Sequence, residues 1–197
     1  MKIIGMCGGS GAGKGYVCGV FAARGIPSID TDGIYHAMTS GPSPCLSELT
    51  AHFGAGILQA DGSLDRRALS TIVFARDGEE KLKLLNAITH KYIKTETEKE
   101  IERCRAEGCP AVIVDAPALF ESGFDRMCDL VVGVFAPYET RISRIMARDG
   151  LSRERAEARL AKQIPDSELM PRCHYCIHNG GEDVARQVDD ILKDITE

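Results

Sequence analysis

Ile3-Ile4-Gly5-Met6-Cys7, followed by Gly8-Gly9-Ser10-Gly11-Ala12-Gly13-Lys14-Gly15, decides how the rest of this chain is read. The first five residues are apolar on both faces, the pattern of a short strand buried inside a parallel sheet. A glycine-rich turn follows, and then a helix from Lys14 to about Arg24, with Gly25 where a C-terminal cap belongs. Gly8 to Lys14 fits G-x-x-x-x-G-K, the phosphate loop, in its required place between strand and helix. Glycines let successive backbone N–H groups converge on phosphates, and the helix N-terminus adds a favourable dipole. Lys14 supplies positive charge to the β- and γ-phosphates. The competing reading is a glycine-rich turn with an incidental lysine. At the next position a Ser or Thr hydroxyl normally ligates Mg²⁺, and this chain has Gly15. Phosphates, water and a nearby carboxylate would then have to hold the ion.

Outward from this loop, strand and helix signals alternate. Ile26-Pro27-Ser28-Ile29 reads as a second strand, Ala111 to Val114 and Leu130 to Phe135 as two more, and Tyr175-Cys176-Ile177 as a last short one. A helix spans Tyr138 to Arg148. The final helix sets Val184, Val188, Ile191, Leu192 and Ile195 on one face. From Ile34 to about Gly108 no buried strand is evident, and Glu79 to Glu107 is strongly helix-forming, with Leu82, Leu85, Ile88 and Tyr92 in one stripe. The alternation predicts an α/β fold, a parallel sheet with helices on both faces.

Composition narrows the class. Hydrophobic residues at 44% and charged residues at 27% suit a globular protein. A net charge of −5 argues against a nucleic-acid binder that works through bulk charge. The apolar stretch after Lys2 is too short for a secretory signal, and no run is long enough to span a bilayer. The eight cysteines are therefore expected to be reduced thiols in a cytoplasmic protein. Cys173-His174-Tyr175-Cys176 has C-x-x-C spacing but lacks a second ligand pair, so structural or incidental thiols are expected over a metal site.

Two further clusters carry chemistry. Asp30-Thr31-Asp32 follows the second strand, and strand C-termini line the ligand crevice of such sheets. Asp32 is thus a candidate to accept a proton or to hold Mg²⁺ through water, the alternative being a helix N-cap. Arg141, Arg144, Arg148, Arg153, Arg155 and Arg159 form an arginine-rich stretch, the first three on one helical face. Guanidinium groups there would neutralise a transferred phosphoryl, while the interspersed acids favour a solvated, salt-bridged helix for most of them.

In order and spacing the motifs resemble the dephospho-CoA kinase family. The likeness is carried by the phosphate loop, Ile29-Asp30-x-Asp32, Phe53-Gly54 and Asp61-Gly62-Ser63-Leu64-Asp65-Arg66-Arg67-x-Leu69. It continues through Leu85 to His90, Pro117-Ala118-Leu119-Phe120-Glu121, Arg159-Leu160-x-x-Gln163 and Ile177-x-Asn179-x-Gly181. Lys91 stands where the family has proline, and Cys173-His174 where it has Ala-Asp. The resemblance implies a P-loop kinase-like core (about 1–33, 109–148 and 173–197), a helical substrate-binding insertion (about 34–108) and an arginine-rich lid (about 149–172) in one domain. It implies ATP as co-substrate, Mg²⁺, and dephospho-CoA as the small-molecule partner, with no nucleic acid and no membrane. Gly11, Ala12, Gly13, Lys14, Gly15 and Tyr16 would cradle the ATP phosphates, and Arg148 and Arg159 would close over them. Asp32 would be the general base, with Lys14 and Arg148 stabilising charge. His90 would help bind the acceptor, a packed helix histidine being the alternative. Another kinase on the same architecture, and a nucleotide binder impaired by Gly15, remain competing functions.

Overall fold

The computed structural model describes residues 1–76 and 78–196. The elements run β1 (Lys2–Cys7), α1 (Lys14–Ala22), β2 (Ser28–Asp30), α2 (Thr31–Thr39), α3 (Pro44–Phe53), α4 (Arg66–Val73) and α5 (Glu79–Ala106). They continue with β3 (Ala111–Asp115), β4 (Leu130–Phe135), α6 (Tyr138–Asp149), α7 (Arg153–Leu160), α8 (Asp166–Leu169), β5 (Tyr175–His178) and α9 (Val184–Thr196). The five strands form one sheet in the order β2-β3-β1-β4-β5. β1 pairs in parallel with both β3 and β4, and β4 in parallel with β5. The expected parallel α/β sheet is therefore present, with β1 at its centre.

The chain divides into two compact units, Met1–Ile29 with Ile101–Glu197, and Asp30–Glu100. In the first, Ile4, Met6, Ile113, Val132, Val134 and Ile177 point to one sheet face and pack on Val17 and Phe21 of α1 and Val188 and Ile191 of α9. The i, i+4, i+7 spacing of α9 produces that face. On the other face Gly5 is covered closely by Leu119 and Cys128. Every residue of β4 is buried, so its unbroken apolar run is what a strand covered on both sides requires.

The second unit is helical, with its own core of Leu46, Leu49, Ile57, Leu64, Leu69 and Ile88. Side chains cap helix starts in this unit. Ser43 Oγ accepts from Leu46 N–H at 3.0 Å to cap α3, and Asp65 Oδ1 accepts from Arg67 and Ala68 N–H at 2.9 and 3.0 Å to cap α4. The Leu82, Leu85 and Tyr92 stripe of α5 packs against this core around Ile88. A single antiparallel bridge, Leu58 to Leu64, is its only extended pairing among the described residues. Among the described residues no helix is long and apolar enough to cross a membrane.

Candidate active site

The carboxyl end of β1 turns into the phosphate loop at the centre of the sheet, where β3 lies on one side and β4 on the other. This is the topological switch point, at which loops leave in opposite directions and open a crevice. The loop is possible because of its glycines. Gly11 has φ +76°, and a Cβ there would fall 2.5 Å from the Arg141 carbonyl oxygen. Gly13, φ +94°, is the N-cap of α1, and a Cβ on it would collide with the Asn179 amide.

What holds the loop is a set of donors on its outer side. Arg141 Nε donates to Ser10 O at 3.0 Å, and Arg144 Nη1 donates to Gly11 O and Ala12 O at 3.2 and 3.1 Å. Asn179, 8% exposed, donates through Nδ2 to Ala12 O at 2.8 Å. Gln163 reaches Ser10 twice, accepting from its N–H at 2.9 Å and donating to its Oγ at 3.0 Å. Arg141 also donates to Gln163 Oε1 at 3.1 Å and pairs with Asp166 at 3.0 Å. With the loop's carbonyls satisfied from outside, the backbone amides at the mouth of α1 are left for an anion. Charge-assisted bonds of this kind contribute about 1.5–3 kcal/mol each.

Lys14 lies at the start of α1 with its Nζ 3.4 Å from Asp115 Oδ1. Asp115 ends β3, and Cys18 Sγ donates to its other carboxylate oxygen at 4.0 Å. Sequence reading passed over Asp115. Its signal was present: four buried apolar residues, Ala111 to Val114, ending in an acid beside a phosphate loop. Gly15 faces open space, with nothing within 4 Å of a Cβ there, and Tyr16 is 61% exposed.

The residues suit a magnesium ion of the kind that keeps its waters. Among the described residues no group of three or more His, Cys, Asp or Glu could hold a metal ion. Mg²⁺ in kinases is commonly bound by one or two carboxylates plus the nucleotide phosphates, and Asp115 beside Lys14 is such a carboxylate.

The arginines separate sharply. Arg141 is buried and bonds the loop, and the half-buried Arg144 does the same and also donates to Asn179 O at 3.0 Å. For these two the solvated-helix expectation is corrected, because helical spacing does not show which turn faces a neighbouring loop. Arg153 fits that expectation, pairing with Glu139 and Glu157 at the surface. Arg148 and Arg159 converge on one carboxylate, Asp149, at 2.8 and 2.6 Å. Arg148's guanidinium, and Arg159's behind it, hold the Asp149 carboxyl below the usual carboxylate range.

In the second unit, Asp32 lies exposed in the first turn of α2, just past the end of β2. Asp30, not Asp32, is the N-cap, its Oδ1 accepting from Asp32 N–H at 3.0 Å. The capping alternative for Asp32 is therefore corrected. His90 is half-buried on α5, and burial pushes its pKa below the ordinary histidine value, towards the neutral ring. Nearby in sequence, Lys91 and the Tyr92 hydroxyl both bond Glu48, at 2.5 and 2.6 Å. A polar cavity of about 700 Å³ in this unit is lined by Thr39, Gln59, Asp61, Ser63, Arg66 and Arg67. Arg66 also contacts His36 and lies over the Tyr35 ring at 5.8 Å.

Comparison with known proteins agrees with this geometry. The dephospho-CoA kinase family model matches residues 2–184. The dephospho-CoA kinase of Anaeromyxobacter dehalogenans is 38% identical over 197 residues, covering 99% of this chain and 92% of that protein. That of Symbiobacterium thermophilum is 41% identical over 181 residues, covering 92% of this chain and 75% of the relative. Among solved structures, the dephospho-CoA kinase from Campylobacter jejuni aligns with TM-score 0.70 and 27% identity, over 98% of this chain and 96% of that one. A shikimate kinase from Acinetobacter baumannii, TM-score 0.51, identity 20%, coverage 100% and 93%, shares the fold. Loop, strand order and whole-chain similarity agree: this chain belongs to the dephospho-CoA kinase family.

Proposed function

We propose that this chain transfers the γ-phosphoryl group of ATP to the ribose 3′-hydroxyl of dephospho-CoA, forming CoA in the cytoplasm. The observation that carries the reading is the phosphate loop, braced from outside by Arg141, Arg144, Gln163 and Asn179, in a chain matched by that kinase family over residues 2–184. Among the described residues no disulfide joins any of the eight cysteines, in keeping with a reducing compartment.

The loop amides and Lys14 bind and orient the triphosphate, and Lys14 neutralises charge that builds on the transferred group. Magnesium, when bound, would offset charge on the β- and γ-oxygens, with Asp115 as carboxylate support and Asp32 a further holder through water. Asp32 takes the proton from the attacking hydroxyl, a role left open to it because Asp30 does the capping. Arg148 and Arg159 exchange Asp149 for ATP phosphate when the lid closes. His90 and the cavity around Arg66 and Arg67 offer the acceptor a neutral imidazole and guanidinium groups for its diphosphate. The other functions raised by the sequence, a different P-loop kinase or an impaired nucleotide binder, are not favoured by a match of this extent.

The test is CoA formation from ATP and dephospho-CoA across a Mg²⁺ titration, with nucleoside monophosphates and shikimate as competing acceptors. Turnover that saturates with dephospho-CoA is expected, and Asp32→Asn should lower kcat by about 10²–10⁴-fold with ATP binding retained. Turnover of another acceptor with none of dephospho-CoA would overturn the reading.

A further inference from the structure

The sequence scatters its cysteines, and folding regroups three of them. Cys7 ends β1 in register with Gly133 of β4, and Gly133 is in register with Cys176 of β5. The three positions form a row across the sheet whose middle member has no side chain. A Cβ on Gly133 would fall 2.5 Å from the Phe135 ring and 2.6 Å from Cys173 Sγ, so the missing side chain leaves the space that Cys173 and Phe135 share. In that space Cys173 Sγ lies 3.5 Å from Cys7 Sγ. The backbone around it is pinned to β4: His174 N–H donates to Val131 O at 2.8 Å, and Val131 N–H donates to His174 Nδ1 at 3.0 Å. A disulfide needs the sulfurs about 2.05 Å apart, so joining them from 3.5 Å draws Cys7 and Cys173 towards each other.

We propose that Cys7 and Cys173 are a reversible disulfide-forming site at the root of the phosphate loop, closed by hydrogen peroxide and reopened by thiols. Cys173 attacks first. It is only half-buried where Cys7 is buried, and its hydrogen bond with Cys7 and the charge of Arg172 lower its pKa. The Cys173 thiolate attacks one peroxide oxygen, the O–O bond breaks, and the leaving hydroxide takes up the proton that Cys173 released on ionising, so that sulfenic acid and water form. Cys7 sulfur then attacks the Cys173 sulfur, the S–O bond breaks, and hydroxide leaves as water with the Cys7 proton. The two electrons of the new disulfide go to peroxide, and a reducing thiol returns them. Cys173 is half-buried, and Cys7 beside it lines a cavity of about 210 Å³ with Gly8, Gly9, Phe120 and Gln163.

The loop feels this bond because Gly8 follows Cys7 directly and lies so close to Val134 O that a Cβ would sit 2.5 Å from it. Drawing Cys7 sideways disturbs that fit, so the oxidised form should bind nucleotide more weakly. This consequence rests on the phosphate-loop reading, not on the identity of the acceptor.

The full chain would be treated with a small excess of hydrogen peroxide, its remaining thiols alkylated, and digested without reductant for mass spectrometry. ATP affinity would be measured on the same samples. The expected result is a Cys7–Cys173 linked peptide and a Kd for ATP raised roughly fivefold or more, both reversed by dithiothreitol. Cys173→Ala, and independently Cys7→Ser, should abolish the link and make ATP affinity indifferent to peroxide. Linkage confined to Cys173–Cys176 or Cys104–Cys109, with Cys7 alkylated, would overturn the proposal. A Cys7–Cys173 link with unchanged Kd would overturn its coupling to the loop. Failure of the reduced protein to bind ATP would count instead against the phosphate-loop reading.

Discussion

Arg141 and Arg144 on one side, and Arg148 and Arg159 on the other, are the same residue type within a short span of chain, yet they do opposite work. The first pair is spent inside the fold, donating to three loop carbonyls and to Gln163, Asp166 and Asn179. The second pair shares Asp149 at the surface, with side chains 58% and 47% exposed. A guanidinium that satisfies buried carbonyls cannot leave without exposing them to a costly vacancy. One that rests on an exposed carboxylate gives up little, since such pairs are worth about 0–1 kcal/mol. The difference separates arginines fixed against the phosphate loop from arginines held only by a surface carboxylate.

The largest expected effect breaks the comparison if it fails. Arg148→Ala and Arg159→Ala should each lower kcat by about 10²–10³-fold, with the melting temperature almost unmoved. Steady-state kinetics with ATP and dephospho-CoA, read beside thermal denaturation, checks both halves. A loss of stability without loss of kcat would put these residues in the structural class.

Arg144→Ala should show the reverse. Losing its bonds to Gly11, Ala12 and Asn179 should cost about 2 kcal/mol, or roughly 4–8 °C in melting temperature for a chain of this size. The KM for ATP should rise about tenfold as the loop loosens. Calorimetry and ATP titration measure the two effects, and an unshifted melting temperature would remove the distinction between the arginine pairs.

Gly15→Ser tests the inner mouth of the same loop. The position is open to a side chain, so the hydroxyl should be accommodated without strain. One added oxygen ligand should lower the Mg²⁺ concentration for half-maximal rate by about five- to tenfold. No change would mean that the carboxylates and phosphates already complete the ion's shell.

These contrasts also mark how far the sequence could be read. The parallel sheet, the phosphate loop and the long α5 were legible because each rests on local chemistry: a run of β-branched residues, a glycine spacing, a helix-forming composition. Arg141 and Arg144 were not, because their partners Ser10, Gly11 and Ala12 lie more than a hundred residues away and pairing across the sheet brings them together. Asp115 was half-visible, its acid at a strand end plain in the sequence and its approach to Lys14 decided only by the β1–β3 register. Cys7 and Cys173 were invisible for the same reason, their contact depending on the absent side chain of Gly133.

Asp149 offers the smallest effect and the finest test. Its pKa lies below the unfolded value because Arg148 bonds to it and Arg159 adds charge. A carboxyl with a depressed folded pKa contributes stability that is fully present above its unfolded pKa, about 3.9, and is lost as pH falls through the folded value. The pairing of Asp149 with Arg148 and Arg159 should therefore be intact from about pH 8 to about pH 5. Across that range the difference in melting temperature between the native chain and Asp149→Asn should be small and constant, shrinking only below the ordinary carboxylate range. If Asp149 merely parks the two arginines, Asp149→Asn should leave kcat within about twofold, because removing a weak surface partner changes little. A fall in kcat as large as that of Arg148→Ala would instead show that Asp149 aims the guanidinium groups in the closed lid. Arginines free to move would then be arginines that need their carboxylate to arrive correctly.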